Sequence, residues 1–145
     1  MATKRLISAP PLSMQEQEKA LADIEAAIEK ARYILEFEKD WDDDGALPIS
    51  KTSWDRAVAL LRQSAEHLIE THQLHLPPPM IAPMPEGNVT LYWYDDVRHV
   101  IIDIPNDDSK PFTYAGKKGS ARIKGSMPST ASSDEVLSVF LWLAS

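Results

Sequence analysis

A chain of 145 residues, 43% apolar and 26% charged, has the length and balance of one soluble globular domain. Its formal charge of −7 argues against nucleic acid, which needs a basic face, and suits a basic protein partner. With no cysteine there is no disulfide framework, thiol nucleophile or Cys-based zinc site, and no stretch has the apolar core of a signal peptide or a membrane span, so a cytoplasmic protein with no membrane segment is expected.

Residues 1–12 read as an extended arm ending near Pro10-Pro11, and residues 13–76 as a helical hairpin. Ser13 with Glu16 three positions on forms a capping box. Leu21, Ile24, Ile28, Ala31 and Leu35 then recur at helical spacing, predicting a helix over 14–39. The near-heptad spacing could also seat a helix from a second copy, so a homo-oligomer is compatible, although a core-facing stripe is the preferred reading. Thr52, with Asp55 three on, is the expected cap of a second helix. Its stripe is Trp54, Val58, Leu61, Ala65 and Leu68, and Pro77-Pro78-Pro79 must end it.

The loop between the helices is the first chemical candidate. Asp40-x-Asp42-x-Asp44-Gly45 matches the opening of a calcium loop, with oxygen ligands at alternate positions and a glycine at the sharp turn. The match then fails, because Lys51 stands where a bidentate Glu should close the shell and Pro48 stands at position nine. Asp40, Asp42 and Asp44 therefore make at most a weak calcium site. Two other readings remain: Asp42, Asp43 and Asp44 as an acidic surface for a basic partner, and a solvated turn in which Trp41 anchors the loop. His72 and His75 share a spacing that can grip a metal, but no third ligand is evident, and histidines also suit a helix C-terminus.

Residues 77–87 are expected to be a proline-rich connector in polyproline-II conformation. Residues 88–125 read as an antiparallel sheet. Val89, Leu91 and Trp93 alternate with Thr90, Tyr92 and Tyr94, and Val100, Ile102 and Ile104 share a face on the next run, so a hairpin turning at Asp95-Asp96 is predicted. Tyr92 and Tyr94 project opposite to Trp93: an interface if that face is open, core if it is covered. Phe112–Ala115 is the expected third strand. The run 116–125, with Lys117, Lys118, Arg122 and Lys124, lacks the Walker spacing and reads as a solvated loop able to touch a phosphate or an acidic partner, with Arg122 and Ile123 either continuing a strand or lying in that loop. Residues 126–145 combine a Ser/Thr linker with a short, nearly all-round apolar helix, which must be buried in its own fold or in a partner; Val136 and Phe140 are its candidate contacts.

The fold class expected is α+β: an N-terminal helix pair packed on a small antiparallel sheet of three or more strands, with a short C-terminal helix. No G-x-S-x-G elbow or other catalytic signature stands out, so no enzyme is expected. The leading function is a non-enzymatic accessory protein that binds another protein. The alternative is a small-ligand or metal-ion sensor using the acidic 40–45 loop or the basic 116–125 loop.

The segment Trp41 to Ser50 (W-D-D-D-G-A-L-P-I-S), the helix with Trp54 and Ala57, and the segment Pro77 to Trp93 together resemble a group of small uncharacterised bacterial proteins. The resemblance covers about residues 33–104. It implies a helix pair, a proline connector and an antiparallel sheet. It brings no catalytic residues, and it points to an accessory protein of the antitoxin, immunity or phage-defence kind, since some of the group travel with mobile elements.

Overall fold

The computed structural model describes residues 11–127 and 134–144, without the side chains of 134–136, 143 and 144. The arm before Pro11, the linker at 128–133 and the Val136 side chain lie outside the described residues.

Helix α1 (Met14–Ala31) opens on the expected capping box: Ser13 Oγ accepts the Glu16 N–H at 3.1 Å, and Glu16 Oε1 accepts the Ser13 N–H at 2.9 Å. Ala20, Ile24, Ile28 and Ala31 are buried along it. The α-helix does not run to 39. It tightens after Ala31 into a 3-10 turn, Arg32–Glu36, and a turn of three residues buries Ile34 where the α-helical stripe would have buried Leu35. The N-terminal helical layer is therefore three pieces rather than a simple pair.

Helix α2 (Lys51–His72) is capped by Ser50, not Thr52; Ser50 Oγ accepts the Ser53 N–H at 3.3 Å. It stops at Gln73, whose left-handed backbone lets Gln73 N–H reach Ile69 O and Leu74 N–H reach Leu68 O. The Gln73 side chain makes that ending firm without a glycine, donating to Ile69 O and accepting from Leu12 N–H. Contacts between Leu12 and Gln73 and between Glu25 and Arg62 set α1 and α2 antiparallel.

The sheet has five strands in chain order, each antiparallel to the next: β1 (Met80–Pro83), β2 (Val89–Tyr94), β3 (Arg98–Ile104), β4 (Phe112–Lys118) and β5 (Ala121–Met127). The predicted hairpin has its predicted face: Val89 pairs with Ile104, Leu91 with Ile102 and Trp93 with Val100, all buried. Two expectations change. Part of the proline connector is strand β1, allowed because Pro83 sits at the end of an edge strand, where no ladder hydrogen bond is lost. The basic 116–125 run is a hairpin, not a loop, turning at Gly119-Ser120 between the paired Lys118 and Ala121.

The inner face of the sheet, α1, α2 and the C-terminal helix α3 (Asp134–Ala144) share one hydrophobic cluster. Arg56 ties the β3–β4 connection to α2: its guanidinium donates to the carbonyls of Pro105, Asp107 and Lys110 and lies 4.6 Å over the Phe112 ring.

The loop before α2 is fastened to the β1–β2 turn by Leu47 N–H to Pro85 O and Ser50 N–H to Gly87 O. Gly87 has φ +90°, and a Cβ there would sit 2.8 Å from the Pro48 carbonyl oxygen. Gly87→Ala should therefore lose at least the ~1–3 kcal/mol of a strained backbone. It should lose more than Gly45→Ala, whose φ is +86° but whose Cβ would meet nothing within 4 Å. Urea unfolding of the two variants checks the order.

Candidate functional site

The acidic loop is folded by its own carboxylates. Asp42 Oδ1 accepts the N–H of Asp44 at 2.9 Å and of Ala46 at 3.0 Å, and Asp40 Oδ1 accepts the Gly45 N–H at 2.6 Å. Trp41 anchors the loop as expected, its indole N–H on Leu47 O at 2.7 Å and its ring 5.0 Å from Phe37. Among the described residues, no three His, Asp or Glu side chains converge as a metal ion would need. One oxygen each of Asp40 and Asp42 already accepts backbone N–H groups. Of the candidate acidic contacts, Asp43 and Asp44 are exposed and Asp42 is half-buried.

Among the described residues, the helices pack on one face of the sheet and none on the other, outer face. Pairing registers place Met80, Tyr92, Ile101, Ala115 and Lys124 in one cross-strand row. Tyr94, His99, Lys117 and Arg122 form the next row. Tyr94 is 64% exposed, Met80 54% and Ile101 38%, unusual values for large apolar side chains on a sheet. The rings of Tyr92 and Tyr94 stack with centroids 5.1 Å apart. Lys117, Arg122 and Lys124 make no ion pair among the described residues. The acid on this face, Asp103, is engaged by Asn88 Nδ2 and Thr90 Oγ1. The face is thus aromatic and apolar with a positive border, opposite in sign to the helical side.

A cleft adjoins it. Strand β1 begins at Met80 opposite Tyr92, so Trp93 and Tyr94 run on beyond the paired edge. There a space of about 230 Å³ opens, floored by Leu68, Leu76, Trp93 and Phe140, with Pro78, Met80, Tyr92 and Tyr94 around its mouth. Trp93 Nε1–H donates to Pro77 O at 2.6 Å and holds the wall. Phe140 is 1% exposed with its ring edge-on to Trp93 at 5.3 Å. Its expected role as a surface contact gives way to a core role: it closes the cleft from inside. Arg98, at the rim, is tied to Asp95 at 3.1 Å.

Four carboxyls of the described residues are held below their ordinary range. Asp95 is stabilised as the anion by the N–H of Val97 and by Arg98, Glu25 by the Arg62 guanidinium, Glu16 by the Ser13 backbone, and Asp107 by Ser109. A carboxyl depressed in the folded state adds stability above its unfolded pKa and loses it as the pH falls through the folded value. Stability should therefore be level above about pH 5 and decline below it. Glu25→Gln should flatten part of that decline, as read from unfolding free energies at stepped pH.

The sequence leaves Arg122 and Ile123 between strand and loop, and the structure puts them in β5, so that Lys117, Arg122 and Lys124 form a basic border. The signal was present: Arg122, Lys124 and Ser126 alternate with Ile123, Gly125 and Met127 at the period of a strand. Among the described residues no helix is long and apolar enough to cross a membrane. No family model, curated protein or solved structure matches the chain.

Proposed function

We propose that the protein is a non-enzymatic accessory protein that binds another protein across the outer face of its sheet, with one apolar partner side chain seated in the adjoining cleft. The observation that carries this reading is the uncovered row Met80–Tyr92–Ile101 beside the exposed, stacked Tyr94. Tyrosine, methionine and arginine are the residues enriched at protein interfaces. Five strands at ~4.8 Å spacing make a face about 20 Å wide. Lys117, Arg122 and Lys124 on this face favour an acidic partner there over the basic one expected from net charge alone. The accessory role implied by the resemblance needs a surface of this kind.

The rival reading is a small-ligand or metal-ion sensor using the acidic 40–45 loop or the basic 116–125 segment. Against it, one oxygen each of Asp40 and Asp42 accepts backbone N–H groups, and the 116–125 segment is a paired hairpin. A photo-crosslinking residue at position 94 should give discrete protein adducts in the native cell, and Ile101→Asp should abolish them. The same crosslinker at Glu18, on the exposed side of α1, should give none. Equal adducts from both positions, or none from position 94, would overturn the reading.

A further inference from the structure

The two edges of the sheet differ. β1 spans 4 residues, ends in Pro83 and has α1 against it. β5 spans 7 residues with no proline, and among the described residues no strand lies beyond it. Short, proline-bearing edges discourage further pairing; long open ones invite it. A two-residue turn closes on a hydrogen-bonded pair, here Lys118 with Ala121, so residues 123, 125 and 127 turn their backbone groups toward β4. Arg122, Lys124 and Ser126 therefore aim their N–H and C=O groups outward. Their side chains stand on the outer face, while Ile123, Gly125 and Met127 face inward.

We infer that β5 is a docking edge for an extended acidic segment of a protein partner, which adds as a sixth antiparallel or parallel strand. The inference deepens the protein-binding reading and rests on it only in that the partner is a protein. Backbone hydrogen bonds would supply the attachment and the pleat would supply the selectivity. Aspartate or glutamate at alternate positions would meet Arg122 and Lys124, and apolar residues between them would continue the inner row of Ile123 and Met127. A second copy of the chain fits less well. Pairing β5 with itself about Lys124, the register of fullest overlap, sets that residue against itself, and pairing about Ile123 sets Arg122 against Lys124; only the shorter register about Gly125 avoids a like-charge pair, and like charges facing across strands are destabilising. The border from 112 to 127 holds Lys117, Lys118, Arg122 and Lys124 and no acid, so an acidic strand meets no opposing charge of its own sign there.

The test uses the full chain and a synthetic peptide alternating glutamate and valine. Binding should be saturable by fluorescence anisotropy at low salt. N-methylation of one alternating set of peptide nitrogens should weaken it by about tenfold or more, and methylation of the other set should not, because only one set faces β5. Lys124→Pro removes an outward N–H and leaves the β4 ladder whole, so it should weaken binding while the unfolding midpoint stays near that of the parent. The double change Arg122→Glu, Lys124→Glu should exchange preference to a peptide alternating lysine and valine. Equal effects of the two methylation patterns would show charge attraction without strand addition and overturn the inference. So would a single-stranded oligonucleotide that binds as tightly as the glutamate peptide. A peptide that fails to bind removes this inference alone, since crosslinking from position 94 reads the outer face separately.

Discussion

Replacing Trp93 with alanine should lower the free energy of unfolding by about 3–5 kcal/mol. The ring is 5% exposed, packs edge-on against Phe140, and its indole N–H holds the Pro77 carbonyl. Truncation would open a void between the sheet and α3, and would leave that carbonyl without its donor. The void merges with the cleft, so the wall that separates core from surface is lost along with the packing. Trp93→Phe keeps an aromatic ring but loses the donor and part of the indole's volume, so it should cost less than alanine, about 1–3 kcal/mol. Urea unfolding of the pair checks that order. A loss below about 1 kcal/mol for the alanine variant would mean that this row is not the core of the sheet.

Ser53→Ala should lose about 2–4 kcal/mol, far more than one small polar side chain usually carries. Ser53 is fully buried at the start of α2. Its hydroxyl donates to Ile104 O at 2.6 Å and accepts the Val89 N–H at 2.8 Å. It thus splices the helix to both strands of the central hairpin, and alanine would strand two buried backbone groups at once. The same helix carries its own control. Ser64 is also buried, but its hydroxyl has no hydrogen-bond partner among the described residues. Ser64→Ala should be neutral or stabilising, since an unpaired buried hydroxyl is itself a cost. If the two variants lose equal stability in calorimetry, the splice at Ser53 is not what holds α2 to the sheet.

Much of the architecture was legible because it depends on period alone. The capping box at Ser13 and Glu16 and the inward row Val89, Leu91 and Trp93 follow from side-chain spacing, and each lies where that spacing puts it. Boundaries read less well where two local options are close in energy. A stripe that continues through Leu35 cannot announce that the backbone tightens at Arg32, and Ser50 and Thr52 are both good caps. The basic hairpin was missed for a different reason. Lysines and glycines lower strand propensity, and β5 is a strand because β4 supplies its ladder, not because its residues prefer one.

The site follows the same division. That Tyr92 and Tyr94 share a face opposite Trp93 is written in the alternation of the chain, as is the oxygen-rich turn at Asp40 to Asp44. Whether the tyrosine face is open, which carboxylates fold their own loop, and which strand borders the tyrosines with positive charge depend on contacts between distant segments. Local spacing sets the direction in which a side chain points. What it meets there is decided only when the helices take one side of the sheet and leave the other to solvent, because burial is a property of the assembled layers and not of any single one.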